Sequence, residues 1–204
     1  MKKYSDLDLE NETSELVAHL FEHCISVDVE TSGTDPVKSG ILSIGACNFK
    51  NKNYFYIENK LREDAYVDDY SLKVNGFTKE DIYDVNKANE LEALQALIEF
   101  ANQNKTFLII GKNPQFDYNF LKNIWIRNGM SLNDFPFSYR LIDISGFVIS
   151  SWLQARNPIP EKGLSSGAIQ NILDVEEEPK PHNALNGAKM NKLCVISWVE
   201  KYVI

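Results

Sequence analysis

The chain has 204 residues with 44% hydrophobic content, and its formal net charge is −8. This length suits one domain with a sizeable core, so we expect a single domain over residues 1–204, with its core at about residues 22–200. The negative charge argues against a protein that coats nucleic acid or reads its sequence through a basic face. It is compatible with an enzyme that holds a short end through metal ions.

The chain carries no pattern typical of membrane insertion or secretion. No apolar run reaches the roughly 18 residues that a membrane span needs, and residues 1–8 turn acidic without the apolar core of a signal peptide. We therefore expect a cytoplasmic protein with no membrane partner. Cys24, Cys47 and Cys194 lie among apolar residues and are odd in number, so we expect buried free thiols. No spacing of cysteines and histidines suggests zinc.

The first half of the chain predicts a small sheet followed by a helix. A short helix carrying His19 and His23 is expected before the first strand, and we assign neither histidine a role. Short polar connections separate three β-rich stretches, which predicts an antiparallel meander. These stretches are residues 24–30, 41–49 and 53–58. Apolar residues then recur at helical spacing over residues 91–101.

The second half alternates between strands and helices. Residues 106–110 form a short apolar run, typical of a buried strand. Asn113 as an N-cap and Pro114 at the first helical position predict a helix that ends near Gly129. Further predicted elements are a strand at 137–144, a short helix within 161–173 and a last helix over 182–202. This order indicates an α/β domain with a mixed sheet.

Asp28 and Glu30 are the most informative pair of residues in the chain. They lie two residues apart on the first predicted strand, so both carboxylates face the same side. Two acids held this close repel each other unless a cation lies between them. Because Val27 and Val29 take the opposite face for burial, the pattern favours a metal site over packing.

Two further polar residues follow predicted strand ends or loops. Asp117 lies in the first turn of a helix just past a buried strand, at the kind of sheet edge where sites form. An aspartate there also suits the helix dipole. His182 follows a loop and opens the last predicted helix. From the residues alone, a catalytic base and a surface residue both stay open for this histidine.

Together these segments resemble the exonuclease family with the Asp-Glu-Asp-Asp-His signature, the class of RNase T and of the DNA polymerase III epsilon subunit. The three motifs match at residues 28–36 with 41–46, at 111–121 and at 182–188. Residues 74–78 resemble the family's Val-His-Gly-Ile-Thr turn, and 141–143 resemble its strand after the middle helix. The resemblance covers about residues 22–200 and implies a ribonuclease-H-like mixed sheet flanked by helices.

The resemblance implies a metal-dependent 3′–5′ exonuclease that hydrolyses phosphodiester bonds at a nucleic-acid 3′ end. Two divalent ions about 4 Å apart, Mg²⁺ or Mn²⁺, would clamp the scissile phosphate. Asp28, Glu30 and Asp117 would hold the ions. His182 would be the general base, a task that suits the unperturbed imidazole pKa of about 6.5.

The resemblance also points to residues that touch the substrate. Thr31, Asn113 and Phe116 are the candidates for contact with the terminal nucleotide. Since the chain has few basic residues to grip a long duplex, we expect a short or single-stranded 3′ end, held in part by stacking on aromatic rings. DNA and RNA substrates both stay open, as do a monomer and a homodimer.

One position departs from the family pattern. The last metal-binding aspartate of the family stands five residues after the histidine, where this chain has Gly187. We therefore expect a defective ligand position, a weakly bound ion and a gain in rate on Gly187→Asp. Four acids precede His182 in a loop. Whether one of them folds back to replace the missing ligand stays open, and a solvated surface position is the expectation for all four. They are Asp174, Glu176, Glu177 and Glu178.

Two functions stay open at this point. The first is a 3′–5′ exonuclease with an impaired or rearranged ion site. The second is a catalytically weak or inactive exonuclease-like module that binds nucleic-acid ends. The presence of Asp28, Glu30, Asp117 and His182 in one chain favours the enzyme, and a scaffold unrelated to nucleotides would leave the first acid pair unexplained.

Overall fold

A computed structural model describes residues 15–161 and 163–204 and contains a mixed sheet of five strands in the order β3-β2-β1-β4-β5. β1 pairs antiparallel with β2 and parallel with β4, β2 pairs antiparallel with β3, and β4 pairs parallel with β5. The strands are β1 Cys24–Thr31, β2 Ile41–Asn48, β3 Tyr54–Glu58, β4 Leu108–Gly111 and β5 Ile142–Asp143. The predicted α/β mixed sheet is confirmed.

Helices cover both faces of the sheet. α4 and α5 pack on one face against β1, β2 and β4, while α8 packs on the other face against β1 and β2, next to α6. The helices are α1 Glu15–Leu20, α2 Asp69–Asn75, α3 Lys79–Ile82, α4 Glu90–Asn104, α5 Pro114–Arg127, α6 Ile144–Gln154, α7 Ser166–Ile172 and α8 Ala184–Tyr202. This arrangement places the beginnings of α5 and α8 near the middle strand, β1.

Most predicted elements are present. One predicted strand is largely replaced by a helix start, and two short helices were not predicted. The predicted strand at 137–144 is wrong: only Ile142 and Asp143 pair with β4, because the Asp143 side chain accepts a hydrogen bond from Ser145 N at 2.8 Å and starts α6 there. The helices α2 and α3 were not predicted. Within 161–173 the helix is Ser166–Ile172, and residue 162 of that prediction lies outside the described residues.

The starts of α5 and α8 differ from the prediction in how they are capped. Asn113 does precede α5, but its backbone is left-handed (φ 53°) and its side chain makes no capping hydrogen bond. The last helix begins at Ala184 instead of His182, because the Asn183 side chain caps it by accepting from Leu185 N and Asn186 N. His182 therefore belongs to the connection before α8, which leaves its ring beside the sheet edge.

The expectation for the cysteines is confirmed, since Cys24, Cys47 and Cys194 are free and buried. None of the described helices combines the length and the apolarity that a bilayer crossing would require. The expectation drawn from residues 1–8 lies outside the described residues.

One glycine brings α8 unusually close to the sheet. Gly45 on β2 stands opposite Asp28 on β1, and a Cβ at residue 45 would overlap the backbone of Ala184 at the start of α8. The backbone of α8 is also tied to β1, because Ser26 Oγ donates to Ala188 O at 2.9 Å. This close approach sets the first turns of α8 directly over Asp28.

Candidate active site

A cleft of about 430 Å³ opens where the carboxyl ends of β1 and β4 meet α5 and α8. Its lining includes all four residues predicted to carry the chemistry, Asp28, Glu30, Asp117 and His182, and also Gly187. These residues come from β1, from the first turn of α5, from the connection before α8 and from α8 itself. The parallel pairing of β1 with β4 brings these distant segments to one edge of the sheet.

Asp28 and Glu30 point into the cleft from β1, as the strand alternation predicts. Val27 and Val29 are buried in the core on the other face of the sheet, with 0% and 6% of their surface exposed. Glu30 itself is only 8% exposed. A carboxylate with so little contact with water needs a hydrogen-bonding partner or a cation to remain charged.

Asp117 is buried and is fixed to β1 between the two strand acids. Its Oδ1 atom accepts a hydrogen bond from Val29 N at 3.0 Å. Pro114 places residue 117 in the first turn of α5, and that turn begins just past the end of β4. The aspartate therefore links the start of α5 to the middle strand and adds a third carboxylate to the cleft.

The three carboxylates resist ionisation in the absence of a cation. Burial raises the pKa of Asp28 well above its usual range, and repulsion from Asp117, Glu30 and Glu178 raises it further. Burial, followed by repulsion from Glu178, raises the pKa of Glu30 to about 7. Burial also raises the pKa of Asp117 to about 8, despite the opposing hydrogen bond from Val29. Such mutual repulsion is relieved when a divalent cation binds.

Glu178 is a site residue that the sequence pattern did not single out. It was expected on the solvated surface, but only 14% of its side chain is exposed and it lines the cleft. Its Oε2 atom lies 3.0 Å from His182 Nδ1, and its Oε1 atom accepts from Asn183 N at 3.2 Å. The neighbouring Glu177 also borders the cleft but is exposed to solvent. Nothing in the sequence distinguishes these two glutamates, because the path of the connection decides which of them is withdrawn from solvent.

The donor set of the cleft fits divalent cations. Among the described residues, ligand atoms of Glu30, Glu178 and His182 lie within 4.8 Å of one another. Asp28 and Asp117 add two carboxylates to the same cleft. Carboxylate oxygens are hard ligands of the kind that Mg²⁺ and Mn²⁺ prefer.

Gly187 faces the site, and its lack of a side chain has a structural reason. A Cβ at residue 187 would lie 2.5 Å from Asp28 Cγ and 2.9 Å from Asp28 Oδ1. The Asp28 carboxylate thus occupies the space that any side chain at position 187 would need. Glycine costs about 1 kcal/mol relative to alanine inside a helix, and this contact explains why it is nevertheless suited to α8.

The candidates for substrate contact divide into two groups. Asn113 and Phe116 line the cleft, and the Phe116 ring packs on Phe120 with centroids 4.9 Å apart. Thr31 does not line it; the residue is buried and its hydroxyl donates to Gly33 O at 2.8 Å. Lys112 and Lys180, which were not predicted as site residues, also line the cleft.

Comparisons with known proteins agree on one kind of enzyme. The profile of the Rv2179c-like domain, described as a 3′-5′ exoribonuclease, matches residues 23–198. The 3′-5′ DNA exonuclease Cap18 of Escherichia coli is 30% identical over 142 residues, which span 65% of this chain and 73% of Cap18.

Solved structures support the fold. The nuclease domain of 3′hExo, a DEDDh family member bound to rAMP, superposes with a TM-score of 0.70 at 13% identity, over 88% of this chain and 92% of that one. E. coli Exonuclease I in complex with a dT13 oligonucleotide superposes with a TM-score of 0.69 at 17% identity. That match covers 88% of this chain but only 41% of Exonuclease I. The ribonuclease-H-like arrangement expected from the sequence is therefore confirmed.

Proposed function

The chain belongs to the Rv2179c-like family of 3′-5′ exoribonuclease domains, and on that premise we propose that its cleft removes nucleotides from single-stranded 3′ ends with two divalent cations. Asp28, Glu30 and Asp117 would hold the cations, and His182 would act as the general base. The observation that carries this proposal is the convergence of these four side chains, from separate segments, on one cleft.

Mg²⁺ and Mn²⁺ are the proposed cations, because the donors are carboxylate oxygens. When bound, such cations stabilise the negative charge that develops on the phosphate and lower the pKa of a water. The buried carboxylates support this assignment, since their repulsion gives the cleft a strong preference for positive charge.

In this proposal His182 takes a proton from the attacking water. Its Nδ1 atom lies 3.0 Å from Glu178 Oε2. Because an ionised carboxylate only accepts hydrogen bonds, this contact supports a ring proton on Nδ1, which would leave Nε2 free to accept a proton. The side chain is 36% exposed, and a water can therefore reach it. Glu178 also holds the ring in one orientation, as outer partners of catalytic histidines do.

The substrate would be held mainly by its last nucleotides. The cleft volume of about 430 Å³ falls in the range of small-ligand sites. Phe116 offers a ring on which a terminal base can stack, and Lys112 and Lys180 offer positive charge to phosphates. With a net charge of −8, the chain is poorly suited to holding a long duplex.

A degradation assay tests this proposal. Single-stranded DNA and RNA oligonucleotides of one sequence, labelled at the 5′ end, are incubated with the full chain in Mn²⁺ or Mg²⁺, beside a blunt duplex. We expect stepwise shortening of the single strands from the 3′ end. Asp28→Asn should abolish it, whereas Asp134→Asn, which removes the same charge at an exposed residue outside the cleft, should not.

Two results would overturn the proposal. Binding of the oligonucleotides without any shortening in either metal would indicate an inactive end-binding module. Undiminished shortening by Asp28→Asn would place the activity elsewhere.

A further inference from the structure

The proposed metal site lacks one negative charge. Two divalent ions carry four positive charges, but Asp28, Glu30 and Asp117 supply only three negative ones. Gly187, at the position where the resembling family has its last aspartate, offers no ligand. Either the site works with an unbalanced charge, or another acid completes it.

We propose that Glu178 supplies the fourth carboxylate of the metal site, from the connection before α8 instead of from α8 itself. This inference rests on the proposed function, because it presumes that Asp28 and Glu30 hold divalent cations. It assigns to Glu178 a ligand role in addition to its contact with His182.

The position of the Glu178 side chain supports this role. Its carboxylate lies within 4.8 Å of ligand atoms of both Glu30 and His182, although the sequence places it 148 residues after Glu30. Only 14% of the side chain is exposed. A glutamate in a connection would be far better solvated on the surface, so the fold holds it against Asp28 and Glu30 at an electrostatic cost that a cation would offset.

The backbone around Glu178 keeps the carboxylate in the cleft. Asn183 N donates to its Oε1 atom at 3.2 Å, and the connection is fastened to α2 because His182 N donates to Val74 O at 3.1 Å. An ionised carboxylate has about four lone-pair sites. The contacts with Asn183 and His182 use two of them, so the remainder can bind a cation.

Gly187 and Glu178 are complementary. The Asp28 carboxylate fills the space beside Gly187, with a Cβ there only 2.5 Å from Asp28 Cγ. A ligand from α8 is therefore excluded in this arrangement. A ligand from the connection reaches the same cleft without displacing Asp28. The missing acid at position 187 and the buried carboxylate of Glu178 are therefore linked.

A role for Glu178 in positioning His182 alone makes a different prediction. The amide oxygen of glutamine also accepts a hydrogen bond from His182 Nδ1. Glu178→Gln therefore preserves an acceptor for the ring while removing the negative charge. If Glu178 only positions the ring, this variant keeps its metal affinity.

The experiment counts Mn²⁺ ions on the full chain by electron paramagnetic resonance and calorimetry, in the presence of AMP. We expect the unaltered chain to bind two ions and Glu178→Gln to weaken one of them by about 10- to 100-fold or more, since loss of even an outer partner has that effect. Glu63→Gln removes the same charge at an exposed position outside the cleft and should bind both ions normally. His182→Gln should also retain both ions.

The outcomes separate this inference from the proposed function. Two ions bound with unchanged affinity by Glu178→Gln would overturn the role of Glu178 alone. No Mn²⁺ binding by the unaltered chain would overturn both. Should Glu178→Gln fail to fold, as judged by circular dichroism, anomalous scattering from Mn²⁺ in crystals of the unaltered chain decides: an ion directly ligated by Glu178 supports the inference, and two ions without Glu178 contact overturn it.

Discussion

The Asp28 carboxylate lies against the backbone of Gly187, so closely that a Cβ at residue 187 would be 2.5 Å from Asp28 Cγ. β1 and α8 can thus approach closely here because the side chain of Asp28 fills the space that Gly187 leaves empty. The sequence-based expectation that Gly187→Asp restores a lost ligand presumes room that the structure does not provide. Any side chain at this position has to displace Asp28 first.

We predict that Gly187→Ala lowers the exonuclease activity instead of leaving it unchanged. The added methyl group would push the Asp28 carboxylate out of place, and a small misplacement of a catalytic group can cost about 100-fold in rate. Steady-state rates on a single-stranded oligonucleotide test this. Gly146→Ala is the matched control, because Gly146 is an exposed glycine of α6 with nothing within 4 Å of the added atom. Equal rates for both variants would contradict the prediction.

We predict that Gly45→Ala destabilises the fold. A Cβ on residue 45 would overlap the backbone of Ala184, which cannot yield as a flexible side chain can. Overpacking of this kind costs about 1–3 kcal/mol or more, and it would move the start of α8 away from the sheet. Urea denaturation should show a lower midpoint and a parallel loss of activity. A midpoint equal to that of the unaltered chain would mean that α8 does not press on Gly45.

We predict that, in the absence of metal, the chain loses stability as the pH rises from about 4 to about 8. The folded state raises the pKa of Glu30 to about 7 and of Asp117 to about 8, and it raises that of Asp28 as well. Unfolded carboxyls titrate at about 4. In this window the folded state therefore binds more protons than the unfolded state, so the unfolding free energy falls with increasing pH.

Urea denaturation in EDTA at several pH values measures this slope. Asp28→Asn should flatten it and raise the stability near pH 8, because one of the repelling charges is removed. Saturating Mn²⁺ should reverse the slope, since the metal binds the deprotonated carboxylates. A stability that rises with pH in EDTA would show that the carboxylates are ionised without a cation.

We predict that His182→Ala lowers kcat by about 100- to 10,000-fold, the usual contribution of a general base. The variant should still bind Mn²⁺, because the carboxylates remain. His23→Ala is the matched control, since His23 is exposed, lies outside the cleft and has its ring beside Glu22. The imidazole would belong to the metal site if His182→Ala lost metal binding and its loss of activity were no larger than the weaker metal binding explains.

Much of the site could be predicted from local sequence patterns. The alternation of Val27, Asp28, Val29 and Glu30 predicts which face is buried and which carries the acids, because side chains of a strand alternate by geometry alone. The position of Asp117 could also be predicted, since a short apolar run followed by Pro114 indicates a strand end and the start of a helix.

Where the local signal is ambiguous, prediction was less accurate. Residues 137–144 look like a strand by composition, yet only Ile142 and Asp143 pair, because the edge of the sheet ends there and Asp143 begins α6. Asn113 is of a residue type that often caps helices, but its backbone is left-handed and its side chain makes no capping hydrogen bond to α5. In both places the neighbouring elements decide the conformation.

The sequence by itself determined the strand acids, the buried face behind them and the class of fold, because these depend on periodicities of a few residues. Only the tertiary structure decided that Glu178 turns inward while Glu177 stays exposed, and that Gly187 abuts Asp28. Both outcomes depend on the path of the connection between α7 and α8 and on how closely α8 approaches Gly45. Such distances arise from contacts between segments far apart in the chain, for which no local pattern of residue types carries a signal.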